Sequence, residues 1–343
     1  MFRTVSRRSV GLFFALLLAL ISGPLLANQV NVYSARHYDV DQLIYQAFTA
    51  ETGIEVRLLE GNSDQLVERI RREGIVSPAD VLITVDVGRL WRAQEMGIFQ
   101  PIESEILAAR IPEHLRHPDN MWFGFSQRIR LIYYSKERFD PALVSSYEDL
   151  ARPELAGRVC IRSSNNIYNQ SLLAAMIETQ GAEQTEAWAR ALVGNLARPP
   201  EGGDTDQIRG VAAGECDIAV ANHYYYLRLL NSDNPAEREV AQQLGIIFPN
   251  QADRGVHVNV GGAGVAVNAP NRDNAIRFLE FLASDRAQEL FAGGNYEYPV
   301  VDSVSRHESL ADWGELQFDR LGVEALGRNN PEAVRLADRA GWR

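Results

Sequence analysis

Apolar and polar positions alternate over three short stretches in the first third of the chain, and a longer stretch with a different spacing follows each one. Alternation with a period of two predicts a strand that is buried on one face. The longer stretches place apolar residues three and four positions apart, which predicts helices. A strand, a loop and a helix thus repeat three times, which is typical of an α/β domain with a parallel sheet. The strands are predicted at 29–34, 54–59 and 79–84, and the helices at 39–52, 64–70 and 87–96.

A long extended run at 123–134 precedes a second region of strands and helices. We interpret that run as a crossing between two domains. Further along, the runs 255–260 and 264–267 predict a pair of returning strands. Other strands are predicted at 158–162 and 216–221, and other helices from residue 167 and at 183–193, 272–282 and 285–291.

Three consecutive tyrosines at 224–226 follow the apolar run 216–221. The run predicts a buried strand, and the residues after it predict a helix that Asn222 or His223 can cap. The first two tyrosines then lie in or near the first helical turn, where the positive end of the helix dipole favours a phenolate. For any one tyrosine, however, ordinary aromatic packing in the core is the better interpretation.

Two other tyrosines share this position between a strand and a helix. Tyr38 and Tyr168 each follow a predicted strand and precede a predicted helix, as Tyr224 and Tyr225 do. In open α/β sheets such positions line the crevice at the carboxyl ends of the strands, where ligands bind. Four of the twelve tyrosines fall at these three junctions, which favours one shared site. His37 precedes Tyr38 and offers an additional imidazole.

The donor set restricts the ligand. A free phenol has a pKa of ~10, so only a strongly acidic cation deprotonates several phenols at neutral pH. Oxygen donors argue against thiophilic metals, and calcium or magnesium would call for clustered carboxylates and carbonyls. Ferric iron fits best. Four phenolates around Fe³⁺ leave one net negative charge, which Arg128 or Arg228 could balance, although an arginine taken alone is more often in a solvated or structural ion pair.

The chain opens with a segment unlike the rest. Three arginines within the first eight residues precede a short apolar run at 10–21. With cleavage after Ala27, this pattern predicts a signal peptide over residues 1–27 and therefore export to the periplasm. The apolar run is too short to predict a membrane span with confidence. Residues 6–12 resemble a twin-arginine export signal, and a general secretory signal with adjacent arginines fits equally well.

Charge and length narrow the class of protein. A chain of 343 residues with 46% hydrophobic residues has room for two domains with full-sized cores. The net charge is −11, and removal of the three arginines of the signal peptide makes it −14. A strongly negative protein is not expected to bind nucleic acid or anionic membrane surfaces, whereas it tolerates a cationic ligand.

Two cysteines, Cys160 and Cys216, lie in short apolar runs that read as strands. In an exported protein a disulfide between neighbouring strands is plausible, and two buried free thiols fit the sequence nearly as well. We predict the disulfide. No spacing between the two cysteines is typical of a zinc site.

Three motifs together resemble a known family. They are Asn-Val-Tyr-Ser-x-Arg-His-Tyr at 31–38, Asn-x-Ile-Tyr-Asn-Gln-Ser at 165–171 and Ala-Asn-His-Tyr-Tyr-Tyr at 221–226. In their order and wide spacing, these motifs resemble those of the periplasmic ferric-iron-binding proteins of ABC importers, the FbpA-like family. The resemblance is greatest to the FutA-like branch of that family. The resemblance covers nearly all of residues 29–300.

The resemblance implies a ligand set, a cargo and partners. The cargo would be Fe³⁺, with Fe²⁺ as a second oxidation state and no synergistic anion, and the partners would be an ABC permease and its ATPase. The protein would be a monomer and not an enzyme. The iron ligands would be His37, Tyr38, Tyr168, Tyr224 and Tyr225, and Arg128 and Arg228 would lie just behind them.

We therefore predict an α/β fold, that of a two-domain periplasmic binding protein of the type II-like kind, with parallel-sheet domains joined by extended hinge crossings. Two other functions stay open. The same fold could bind an anion or a polyamine, and a secreted hydrolase is a third possibility, although no motif for a nucleophile and its base is visible. The predicted parts are the signal peptide 1–27, a first domain from 28–125 and 255–300, a second domain at 126–254, and C-terminal helices at 301–343 that pack on the second domain.

Overall fold

The structure is a computed structural model, and it describes residues 28–343. The predicted signal peptide, residues 1–27, lies outside the described residues. Within the described part, no helix has both the length and the apolar character that a bilayer crossing requires.

Eight strands between residues 28 and 343 form one mixed sheet in the order β2-β1-β3-β8-β4-β6-β5, with β7 paired to β4. Parallel pairing joins β1 to β2, β1 to β3 and β5 to β6. Every pairing that involves β4 or β8 is antiparallel. The strands are β1 (Gln29–Ser34), β2 (Glu55–Glu60), β3 (Val81–Thr84), β4 (Phe123–Ser135), β5 (Val159–Cys160), β6 (Ile218–Asn222), β7 (Leu244–Ile247) and β8 (Val258–Val265).

The helices flank this sheet, and the first three follow β1, β2 and β3 as the spacing predicts. Those of the described residues are α1 (Asp39–Thr52), α2 (Ser63–Glu73), α3 (Val87–Glu95), α4 (Glu105–Arg110), α5 (Ile167–Gln180), α6 (Ala182–Gly194), α7 (Asp204–Ala213), α8 (His223–Leu230), α9 (Pro235–Gln242), α10 (Arg272–Leu282), α11 (Asp285–Asn295), α12 (Glu308–Ala311) and α13 (Val323–Ala340). The prediction of α/β class is confirmed. The prediction of parallel sheets is correct only for β1 to β3 and for β5 with β6.

Strand β4 is the long crossing that the sequence predicts. Its first half pairs with β8 from Phe123 to Ile129, and its second half pairs with β6 and β7. The predicted pair of returning strands is wrong, because residues 258–265 form the single strand β8. Two glycines that lie between the two predicted strands, Gly261 and Gly262, are needed for close packing. A Cβ atom on Gly261 would collide with the Arg128 guanidinium, and one on Gly262 would collide with the Phe123 carbonyl.

Three apolar clusters form the core of the described residues, and the third contains both cysteines and Tyr226. The first contains β1, β3 and the buried faces of α1 to α3, and the second contains Leu172, Leu173 and Trp188 from the helices beside β5. Helix α13 contributes to both, since its first turn joins the first cluster and its last turns join the second. The domain boundaries near residues 125 and 254 and the packing of 301–343 stay predictions.

Cys160 and Cys216 form a disulfide, with their Cα atoms 5.8 Å apart. Cys160 ends β5, and Cys216 lies two residues before β6, so the bond joins the end of β5 to the segment that leads into its parallel neighbour β6. Both side chains are buried. The disulfide therefore supports the strand that leads directly into the tyrosine-bearing helix α8.

We expect loss of the disulfide to lower the free energy of unfolding by about 2–5 kcal/mol, because the unfolded chain regains the freedom that a cross-link over 56 residues removes. Urea unfolding of the double variant Cys160→Ala, Cys216→Ala beside the parent protein measures this. Unfolding of the parent under reducing conditions separates the bond from the loss of side-chain volume. Equal midpoints for the oxidised and reduced parent would contradict the prediction.

Candidate metal centre

Four tyrosines from three helix N-termini converge at one end of the sheet. Tyr38 is the residue before α1, and its backbone N–H donates to the Asp41 carboxylate at 3.0 Å. Tyr168 is the second residue of α5, and its N–H donates to the side chain of the capping residue Asn166 at 3.0 Å. Tyr224 and Tyr225 are the second and third residues of α8. The predicted placement of all four at strand-to-helix junctions is confirmed.

The phenol groups contact one another across the gap between these elements. The hydroxyl of Tyr224 donates to the hydroxyl of Tyr168 at 3.3 Å. The Tyr224 ring lies 4.3 Å from the Tyr225 ring and meets the Tyr38 ring edge-on at 6.4 Å between centroids. Tyr224 is fully buried, whereas Tyr38 is half-buried. Tyr225 is half-buried as well, so a small hard cation between the hydroxyls would be reached past Tyr38 or Tyr225.

Arg228 lies over this cluster from the next turn of α8. Its guanidinium carbon is 4.8 Å from the centre of the Tyr38 ring, 5.2 Å from that of Tyr224 and 5.9 Å from that of Tyr225. A nitrogen of its guanidinium also donates to the side-chain oxygen of Asn295. The cation–π geometry favours a positive charge next to phenol rings and favours it more once they are ionised.

Burial and mutual repulsion keep the free phenols neutral. Burial raises the pKa of Tyr38, Tyr224 and Tyr225, and the electrostatic effect of the neighbouring Tyr168 side chain raises each pKa further. Arg128 opposes this rise at Tyr38 and Tyr224. At neutral pH Tyr38, Tyr224 and Tyr225 therefore hold their protons, and a cation that bound there would have to displace them.

Arg128 belongs to a buried ion network behind the phenols. Its Nε donates to Glu297 at 2.9 Å, and Arg36 donates to the other oxygen of the same carboxylate at 3.0 Å. Arg36 also pairs with Asp41 at 2.9 Å. All four side chains are buried. Burial raises the pKa of Glu297, but the two guanidinium groups outweigh it and hold that pKa well below its usual range.

Arg128 could be identified from the sequence, whereas Glu297 and Arg36 could not. Glu297 lies in an irregular segment 169 residues from Arg128, and no local pattern connects the two. Arg36 stands in the motif 31–38, two positions before Tyr38, which is the only signal that could have marked it. Its guanidinium carbon lies 5.0 Å from the centre of the Tyr38 ring.

A second buried network fixes the helices that carry Tyr168 and Tyr224. Arg130 donates to Asp204 at 3.0 Å, to the Asn222 side chain at 2.9 Å and to the Asn169 side chain at 2.7 Å. The sequence suggested that the Asn222 side chain could cap α8. It does not do so, because its oxygen accepts a hydrogen bond from Arg130 instead. The Arg130 guanidinium thus orients the N-termini of both α5 and α8.

His223 packs beneath Tyr224, and neither of its ring nitrogens is free. Its Nδ1 accepts from the Ile129 backbone N–H at 3.2 Å, and its Nε2 lies 2.6 Å from the Tyr296 carbonyl, to which it donates. Burial lowers the pKa of His223 to about 4, consistent with a neutral ring. The residue ties α8 to the crossing strand β4 and not to a metal.

The imidazole of His37 is exposed and its ring centre lies 5.7 Å from that of Tyr38. It therefore sits at the open side of the phenol cluster, and its role as a ligand stays a prediction. Residues 28–343 contain no group of three or more His, Cys, Asp or Glu side chains arranged to hold a metal ion.

The chain is similar to a family of known proteins. Residues 77–317 match the family of bacterial extracellular solute-binding proteins. A curated relative, iron uptake protein A1 of Synechocystis sp., is 52% identical over 316 residues, which cover 92% of this chain and 88% of the relative.

Two solved structures have the same two-domain architecture. One is FutA from Trichodesmium in complex with iron and citrate ligands, with a TM-score of 0.89 and 52% identity. The other is apo FutA2 from Synechocystis PCC6803, with a TM-score of 0.88 and 51% identity. Each comparison covers 92% of this chain and 100% of the other chain. The predicted fold of a two-domain periplasmic binding protein is thereby confirmed.

We expect Glu297→Gln to lower the free energy of unfolding by about 3–5 kcal/mol at pH 7, because two buried guanidinium groups lose a shared counter-charge. The stabilisation is present above the unfolded-state pKa of ~4.3 and is lost as pH falls towards the lower folded-state pKa. Urea unfolding from pH 7 to pH 3 should therefore show parent and variant converging in acid. Glu315→Gln, at a side chain that is 98% exposed, is the control. A difference that stayed constant down to pH 3 would contradict this account.

Proposed function

This chain belongs to the family of bacterial extracellular solute-binding proteins, and we propose that it captures ferric iron in the periplasm and delivers it to an ABC permease. The observation that carries the proposal is the convergence of four phenols from three helix N-termini beneath one guanidinium. The iron ligands in this proposal are Tyr38, Tyr168, Tyr224 and Tyr225, with His37 at the open side.

The chemistry of the cluster suits Fe³⁺ as cargo. Phenolate is a hard oxygen donor, and a trivalent cation is acidic enough to displace phenolic protons whose pKa values burial has raised. Four phenolates around Fe³⁺ carry one net negative charge, which Arg228 balances. The network of Arg36, Arg128, Asp41 and Glu297 contains two positive and two negative groups and adds no net charge.

Similarity to proteins of iron uptake supports the same cargo. The curated relative of 52% identity is called an iron uptake protein, and the Trichodesmium structure of equal identity contains iron. The donors come from both predicted domains. Tyr38 precedes α1 of the first domain, and the other three tyrosines lie on α5 and α8 of the second. Binding that joins elements on either side of a hinge favours closure, and the closed form is what a permease and its ATPase would recognise.

An anion or a polyamine is the alternative cargo for this fold. Such ligands favour clustered backbone donors or carboxylates, and the phenol cluster offers neither. Titration with Fe³⁺ followed by visible absorbance distinguishes the two functions, because tyrosinate bound to Fe³⁺ gives a strong charge-transfer colour. A parent protein that stays colourless with Fe³⁺ would refute the proposal.

We expect Tyr224→Phe and Tyr225→Phe each to weaken Fe³⁺ binding severely and to reduce the charge-transfer colour, because each variant removes one oxygen donor and keeps the ring. Competition against a ferric chelator measures the affinity. Tyr226→Phe is the matched control. Its ring stacks on Tyr133 at 5.2 Å in the core, so the variant should keep parent affinity and colour. Full affinity in both site variants would contradict the ligand assignment.

We expect Arg228→Ala to lower the reduction potential of bound iron. Reduction to Fe²⁺ adds a negative charge to the centre, and a guanidinium above the phenol rings stabilises the more negative state more strongly. Arg228→Lys should lower the potential less, because the charge remains while the planar fork is lost. Redox titration of the iron-loaded proteins measures this, with Arg190→Ala on an exposed helical face as control. An unchanged or raised potential in Arg228→Ala would contradict the prediction.

A further inference from the structure

A buried hydrogen bond joins the two sides of the molecule beside the phenol cluster. Asp86 follows β3 and caps α3, which packs in the first apolar cluster. Ser171 lies on α5, one turn beyond Tyr168, and the next residues of that helix pack in the second cluster. The Ser171 hydroxyl donates to the Asp86 carboxylate at 2.8 Å, and both side chains are fully buried.

The other contacts of Asp86 stay on its own side of the molecule or on the crossing strand. One oxygen accepts from the Gly88 N–H at 2.8 Å, as a helix cap does. The second oxygen accepts from the Asn259 side chain at 2.6 Å, and Asn259 is part of β8. Among the described residues, Ser171 is thus the donor that reaches Asp86 from the side that carries Tyr168, Tyr224 and Tyr225.

The backbones approach closely around this bond. A Cβ atom on Gly88 would lie 3.0 Å from Ile167 and 3.2 Å from the Asn330 side chain of α13. Gly327, one turn earlier on α13, leaves room for the Trp91 ring of α3 in the same way. Helix α3 therefore packs closely against α5 and α13, and the Asp86–Ser171 hydrogen bond lies at the N-terminus of α3.

This contact differs from a hinge. The chain crosses between the two sides at β4 and β8, and rotation there would move β3 and α3 relative to α5. The distance between Asp86 and Ser171 depends on that rotation, because no strand pairing connects them. Opening would separate the carboxylate from the hydroxyl and expose both to water.

We propose that the hydrogen bond between Ser171 and Asp86 is a latch that holds the closed form and thereby slows the release of bound iron. The proposal rests on the function proposed above, since iron is the cargo whose release it controls. Ser171 and Asp86 are positioning residues, because neither belongs to the phenol cluster. Loss of the latch shifts the closed form towards the open one, and affinity falls by the same factor if the iron-free protein is mostly open.

The test compares Ser171→Ala with the parent protein in three measurements: the visible spectrum, the rate of iron removal by excess chelator, and small-angle X-ray scattering with and without Fe³⁺. Ser171→Ala should keep the position and intensity of the charge-transfer band. It should release iron about 10- to 100-fold faster, the factor expected for a hydrogen bond to a buried charged group. Iron loading should shrink the parent by scattering and should shrink the variant less completely.

Two further variants exclude a merely structural effect. Thr179→Ala removes a hydroxyl from the same helix that bonds only to carbonyls of that helix, and it should behave as the parent does. Asp86→Asn combined with Ser171→Ala should release iron no faster than the faster of the two single variants, because both act through one contact.

The outcomes separate the latch from the function. If the parent shows the charge-transfer colour but Ser171→Ala releases iron at the same rate as Thr179→Ala, the latch is refuted and the proposed function stands. Equal scattering of the iron-free and iron-loaded parent would also overturn the latch. A parent that binds no Fe³⁺ would overturn both proposals.

Discussion

Charge balance in a buried space is the constraint on which this centre depends. Four phenols share one region with several guanidinium groups, and burial makes any unbalanced charge costly. Glu297 and Asp41 resolve half of the difficulty, because together they neutralise Arg36 and Arg128. In the proposed function the phenols resolve the other half, because their protons leave only when a trivalent cation replaces them. By this count the loaded centre is neutral, and the free centre carries only the single positive charge of Arg228.

The positions of the chemistry could be predicted from the sequence because they follow local rules. Each of the tyrosines at 38, 168, 224 and 225 stands where a short apolar run gives way to a helix, and such junctions meet at one end of a sheet. The ferric character then follows from the donor atoms alone. Local rules also placed the first three strands and their helices, whose spacing of apolar residues the structure reproduces.

What could not be predicted depends on contacts between distant segments. Glu297 has no pattern around it that marks a buried counter-charge. Its partners, Arg36 and Arg128, lie in distant segments that only the tertiary fold brings next to it. The continuity of β8 through residues 261–264 could not be predicted for the same reason. Gly261 leaves space for the Arg128 guanidinium and Gly262 for the Phe123 backbone, and both contacts form only at the crossing. The direction of β8 between β3 and β4 likewise has no local signature.

The three consecutive tyrosines of α8 differ in what they contribute, because successive helical side chains point about 100° apart. The first two face the phenol cluster, while Tyr226 turns into the core and stacks on Tyr133. His223 fixes this rotation through its two backbone partners. In comparisons among natural sequences the triplet should therefore not be scored as a block. Under the proposed ligand assignment, a chain with phenylalanine at the third position would retain the whole donor set, whereas one with phenylalanine at the first would lack a donor despite identical composition.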